Sequence, residues 1–133
     1  MATMYLIRGL PGSGKSSLAE QLTPGKVFSA DDYPGLYIEG KLQPQLLKLA
    51  HEDCQKRVWQ ATEWRQEDVS VANTFSRMWE LDPYLAMAHT RHYYAMVILA
   101  EATIAPSGHP TTSIHNVPQE SIEGMKVRWE QFR

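Results

Sequence analysis

"IRGLPGSGKSSLAEQL", Ile7 to Leu22, decides how the rest of the chain is read. Ahead of it stands the apolar run "MYLIRG" (Met4–Gly9), which has the length and composition of a buried strand. Behind its glycines, Lys15–Leu22 reads as a helix that ends at "TPG". Between the two, Gly9, Gly14, Lys15 and Ser16 fill the spacing G-x-x-x-x-G-K-[ST], with Gly12 added. Glycines in a strand-to-helix turn let the backbone fold inward, so that successive N–H groups face one point. The start of the helix adds partial positive charge there. Such a turn is built for a polyphosphate, with Lys15 reaching the outer phosphates and the Ser16 hydroxyl binding Mg²⁺. The expected nucleotide-contacting set is Gly9, Pro11, Gly12, Ser13, Gly14, Lys15, Ser16 and Ser17, the last simply continuing the helix.

Strand-like and helix-like segments alternate downstream. "KVFSA" (Lys26–Ala30) reads as a second strand. Gln43–Trp64 is the longest helical segment, with Leu46, Ala50, Cys54 and Val58 recurring every four residues and Leu49 and Ala61 widening that stripe. Pro44 falls in its first turn, where a missing N–H does no harm. "VSVAN" (Val69–Asn73) predicts a third strand, and a helix spans about Trp79–Arg91. Tyr94–Ala100 is continuously apolar, as a strand covered on both faces should be. A last helix opens at Pro118 with Ile122, Met125 and Trp129 on one face. Trp59, Trp64, Trp79 and Trp129 are read as packing residues. The alternation predicts an α/β fold, a three-layer sandwich of the P-loop NTPase type. Its sheet is mainly parallel, of about four to five strands, with right-handed crossovers. A length of 133 residues suits one domain, 1–133.

Composition narrows the functional classes. The chain is 43 % hydrophobic and 21 % charged with net charge −2, which lacks the clearly basic footprint of most duplex-binding domains. One cysteine, Cys54, excludes an intramolecular disulfide and fits a reducing, cytoplasmic setting. The longest apolar stretch, Tyr93–Ala100, is far short of the ~20 residues of a membrane span, so no membrane partner is expected. Nothing in the sequence sets an oligomeric state.

"FSADDYPGLY" (Phe28–Tyr37) puts Asp31 and Asp32 at the C-terminal end of the second strand, the edge where ligands gather in open α/β sheets. A carboxylate there would take a proton from an attacking hydroxyl; a turn or helix cap is the other reading of an aspartate in this place. The blocks "LIRGLPGSGKSSLAEQL", "FSADDY", "AHEDCQKRV", "NTFSRMWELDPY" and "HNVPQESIEGMKVRWE" follow one another along nearly the whole chain. In that order they resemble polynucleotide kinase-like P-loop kinases. That group includes bacteriophage 5′-hydroxyl polynucleotide kinases and the kinase domains similar to NEDD4-binding protein 2. The resemblance implies transfer of a phosphoryl group from ATP, with Mg²⁺, to a hydroxyl on a single-stranded nucleic acid end or a nucleotide. It implies Asp31 as general base, Asp32 as support for geometry or the metal's water, and Asn73 with Thr74 near the phosphates or acceptor.

Three departures from the family pattern stand out. Ala72 occupies the place of an aspartate before the Asn-Thr pair, and Pro34 that of an arginine three residues after the base. Between Arg91 and Lys126 there is no Lys or Arg, so lid arginines are missing. Arg77 and Arg128 are the candidates to replace them. The weak overall basicity favours a small-molecule kinase acting on a nucleoside or sugar as one alternative, and Ala72 with the arginine-free lid favours a weakened nucleotide-binding module as another.

Overall fold

The computed structural model describes residues 1–100 and 129–130. The helix expected from Pro118, with Ile122 and Met125, and the candidate Arg128 lie outside the described residues. In chain order the elements are β1 (Thr3–Arg8), α1 (Lys15–Leu22), β2 (Val27–Phe28), β3 (Tyr37–Ile38), β4 (Lys41–Leu42), α2 (Leu47–Ala61), β5 (Val69–Asn73), α3 (Met78–Thr90) and β6 (Tyr94–Leu99). Short 3-10 turns at Ala30–Asp32 and Pro44–Leu46 precede β3 and α2.

Four strands form a parallel sheet in the order β2-β5-β1-β6. Both faces of β1 are filled: Met4 and Leu6 are buried on one side and Ile7 on the other. Leu6 stands in register with Val71 and Val97, and Ile7 with Ala72 and Ile98. Ala19 of α1 packs with Ile7 and Ala72 on one face. On the opposite face Ala50, Cys54 and Val58 of α2 and Leu81, Tyr84 and Ala88 of α3 meet Met4, Leu6 and Val71. From β1 the chain crosses in one direction to β2, whereas from β5 it passes over β1 to β6. Right-handed crossovers in opposite directions put their helices on opposite faces. The loops that follow β1 and β5 therefore part, leaving a crevice at the carboxyl end of the sheet.

Several elements differ from the sequence expectation. The second strand is in the ladder only at Val27–Phe28, because the Ala30 N–H is drawn to the Asn73 side chain instead. The long helix starts at Leu47, after Pro44 has opened a separate 3-10 turn, and ends at Ala61. Its stripe holds at Ala50, Cys54 and Val58, but Leu49 sits one residue, ~100°, off the line and is exposed, as is Ala61. β6 is an outer strand among the described residues, with Tyr94, Met96 and Leu99 about half exposed rather than covered. Trp64 and Trp79 are exposed rather than packed, and the Arg91 guanidinium lies 3.4 Å from the Trp59 ring centroid. Trp129 lies in irregular backbone rather than a helix. The hairpin of β3 and β4 was not anticipated. No helix of the described residues is long and apolar enough to cross a membrane.

Candidate active site

Loop 9–14 leaves β1 at the crevice and enters α1 at Lys15. Gly12 and Gly14 both take φ +84°, the left-handed region that side chains disfavour. Gly9 is required for space: a Cβ there would stand 2.7 Å from the Ala100 carbonyl oxygen and against the Ser13 hydroxyl. The Ser13 N–H returns to the Leu10 carbonyl (3.0 Å), and the Leu18 N–H reaches that of Gly14 (3.0 Å). α1 has no side-chain N-cap and no acidic residue in its first turn, so its positive end is uncompensated by its own side chains. The Ser13 Oγ is buried without a hydrogen-bond partner among the described residues. Lys15 is only 9 % exposed, Ser16 and Pro11 are half-buried, and Ser17 is exposed. Burial pulls the Lys15 ammonium below the ordinary lysine pKa, and the Asp31 carboxylate opposes that pull.

Asp31 sits on the 3-10 turn after β2. Ser29 opens this turn, its Oγ accepting the Asp31 N–H at 3.1 Å. The Asn73 Oδ1, at the end of β5, accepts the Ala30 N–H (2.9 Å) and the Ser29 hydroxyl (3.3 Å). From α2, Arg57 donates to the Ser29 carbonyl (2.8 Å) and the Asp53 carboxylate (2.8 Å), and lies 3.8 Å from the Asp32 carboxylate. Tyr37 donates its hydroxyl to Asp31 Oδ1 at 3.1 Å. Burial, then the Asp31 charge and this hydrogen bond, push the Tyr37 phenol well above its usual pKa, so it stays a donor. Asp31 therefore has a carboxylate directed by neighbours, while Asp32 stands beside Arg57 at the surface.

The other candidates fall into supporting positions. Asn73 is buried, and its Nδ2 points to the Cys54 sulfur (3.9 Å). It ties β5 to the Asp31 turn, the role of a loop clasp. Ala72, in register with Ile7, packs on the α1 side. Arg77 stands just before α3 and pairs with Glu130 at 3.2 Å. Cys54 is fully buried, and burial raises its thiol pKa, which leaves it an inert core residue.

Arg8, Ser29, Tyr37 and Arg57 were not singled out by sequence. Arg8 carried the clearest signal, a charge inside an apolar strand. It is 2 % exposed. Its Nε and Nη2 both donate to the Phe75 carbonyl (3.1 and 2.7 Å), Nη2 also donates to the Glu130 carbonyl, and the guanidinium lies 4.2 Å from the Trp129 ring centroid. Phe75 has φ +50°, so this fork holds a strained backbone in place. The Gly9 N–H donates to the Thr74 carbonyl at 3.3 Å. Arg8 and Gly9 thus fasten the glycine loop to the loop after β5. Arg8→Met is expected to cost about 3 kcal/mol by leaving the Phe75 carbonyl unpaired, lowering the melting temperature by roughly 10 °C. Arg8→Lys should recover only part of this, since an ammonium cannot form the fork. Thermal unfolding of the two variants checks both.

The fold and crevice define an α/β protein with a glycine loop at the switch point of a parallel sheet. The crystal structure of a "putative kinase" from Chloroflexus aurantiacus J-10-fl shares this fold, with a TM-score of 0.60 over 74 % of this chain and 58 % of that one, at 12 % identity. In sequence, the chain is similar to human NEDD4-binding protein 2, at 35 % identity over 138 residues that take in 97 % of this chain. It spans only 8 % of the length of that relative. No family model matches the chain. The structural likeness, at 12 % identity, shows the fold, and the sequence likeness relates this chain to a short stretch of the longer human protein.

Proposed function

We propose that the chain is a phosphotransferase that moves the γ-phosphate of ATP to a hydroxyl of a nucleic acid end or a nucleotide. The observation that carries this reading is the buried Lys15 ammonium at the mouth of the glycine loop, whose charge the Asp31 carboxylate favours. The left-handed backbone at Gly12 and Gly14, the Ser13 Oγ without a partner among the described residues and the uncapped start of α1 fit a polyphosphate. Ser16 would hold Mg²⁺ together with phosphate oxygens and water, with Asp32 near the metal's water, and the ion would neutralise charge on the phosphates. Asp31 takes the proton of the acceptor hydroxyl. A new O–P bond forms as the bond from the γ-phosphorus to the bridging oxygen breaks, and ADP leaves.

A small hydroxyl acceptor is the second reading, and a specific observation favours it. Arg57 lies beside Asp32 and Asp53, and Arg77 beside Glu130, so these cations already face carboxylates. The test is transfer of labelled γ-phosphate to 5′-hydroxyl DNA and RNA, nucleosides and sugars over a salt series. A polynucleotide acceptor should lose about 10-fold or more in kcat/KM between roughly 50 and 200 mM salt, and a neutral nucleoside should not. Tight nucleotide binding with no phosphorylated product would instead identify a binding module, the outcome Ala72 favours.

A further inference from the structure

We propose that Tyr37 is a positioning residue for phosphoryl transfer, carried into the crevice by the β3–β4 hairpin to set the direction of the Asp31 carboxylate. The proposal rests on the phosphotransfer reading above and deepens it. Its evidence is the contact of Tyr37 with Asp31 Oδ1 at 3.1 Å and the way the hairpin makes that contact unavoidable.

The hairpin has a two-residue loop, Glu39-Gly40, and both residues have positive φ, +51° and +77°. Such a turn matches the twist of the paired strands and locks their register. Tyr37 therefore stands opposite Leu42, and Ile38 opposite Lys41. Tyr37 and Leu42 pack against the core while Ile38 and Lys41 face solvent. A slip by one residue would turn Tyr37 outward. The base of the hairpin is fastened as well: Leu36 is fully buried, its N–H donates to the Tyr33 carbonyl (3.1 Å), and its carbonyl accepts the Gln43 N–H (2.7 Å). The phenol thus reaches Asp31 from a fixed frame. On the other side, Ser29 and Asn73 fix the turn that carries Asp31. One brace sets the backbone of the aspartate and the other sets its carboxylate. An attacking hydroxyl needs a base held in one direction, because misplacement by about an ångström costs roughly 100-fold.

The experiment compares the wild-type full chain with Tyr37→Phe and Gly40→Val at one pH and saturating Mg-ATP, on whichever acceptor the wild type phosphorylates. Tyr37→Phe keeps the packed ring and removes the hydroxyl. Its kcat should fall about tenfold, the typical worth of one such hydrogen bond, while KM for ATP and the dissociation constant of an ATP analogue stay within about twofold. Gly40→Val keeps the hydroxyl but strains the turn, and should give the same selective loss of kcat. The double variant should be no worse than either alone, since both act through one contact. A Tyr37→Phe protein that matches wild-type kcat, or that loses ATP affinity in proportion, overturns the proposal while the phosphotransfer reading stands. If Tyr37→Phe does not melt cooperatively, Gly40→Val decides alone by the same criteria. No transfer by the wild type to any acceptor overturns the phosphotransfer reading and this proposal with it.

Discussion

Lys15→Ala is expected to lower affinity for a triphosphate nucleotide by about 100-fold or more, to the limit of detection by titration calorimetry. Charge-assisted contacts from one ammonium to two phosphate groups in a partly dry site support a loss of this size. The same substitution should leave the melting temperature of the ligand-free chain unchanged or slightly raised. Lys15 is buried, and burial disfavours its charged form in the folded state. Removing the ammonium removes that cost, with the loss of its attraction to Asp31 as a partial offset. Binding lost and fold kept is the signature of a lysine held in place for a ligand. The pH dependence has a definite sign. The lysine pKa in the folded chain lies below 10.5, and a bound polyanion raises it. Wild-type affinity should be level at neutral pH and fall once pH climbs through the lowered free value, before an ordinary lysine would titrate. The Lys15→Ala protein should show no such fall.

Asp31→Asn is expected to reduce the rate of phosphoryl transfer by about 10²- to 10⁴-fold, the usual worth of a positioned general base. The amide is nearly the same shape and its oxygen still accepts the Tyr37 hydroxyl, so the turn should keep its geometry. Nucleotide affinity should be unchanged or higher, because a negative charge near the phosphates has gone. Single-turnover transfer of labelled phosphate, paired with calorimetry, separates the two effects. If Asp31 were only a turn residue, the variant would transfer phosphate at the wild-type rate. The pair of variants should thus divide the site: losing Lys15 removes binding and with it transfer, whereas losing Asp31 removes transfer alone.

Arg77 and Asn73 show how the fold gives a residue partners that no local pattern announces. Arg77 was a reasonable substitute for a lid arginine on charge and position. In the structure it pairs with Glu130, a partner 53 residues away that no local pattern announces. Asn73 was a candidate phosphate contact, but its carbonyl oxygen is occupied by the Ala30 N–H and the Ser29 hydroxyl. A side chain so engaged shapes the loop that carries Asp31. The same holds for Tyr37. Nothing about a tyrosine after Pro-Gly suggests contact with an aspartate six positions earlier. The signal was present in Glu39-Gly40, a turn pair between short β-prone runs, but two-residue strands are too brief for periodicity to reveal.

What the sequence by itself determined is what depends on local spacing. Gly9, Gly12, Gly14, Lys15 and Ser16 specify a loop-to-helix turn because only certain backbone angles join a strand to a helix there. The bounds of α1 and β5 could be read directly, since each is a short run ended by a clear stop. Alternation predicted a mainly parallel sheet of about four to five strands, and four are present among the described residues. What only the tertiary structure decided is which distant groups meet: Tyr37 with Asp31, Arg8 with Phe75 and Glu130, and, among the described residues, β6 at the outside of the sheet. Those outcomes depend on strand order and on hairpin register, which arise from packing on both faces of β1 at once. A one-dimensional pattern records which residues seek burial, but it does not record which of several apolar faces they find.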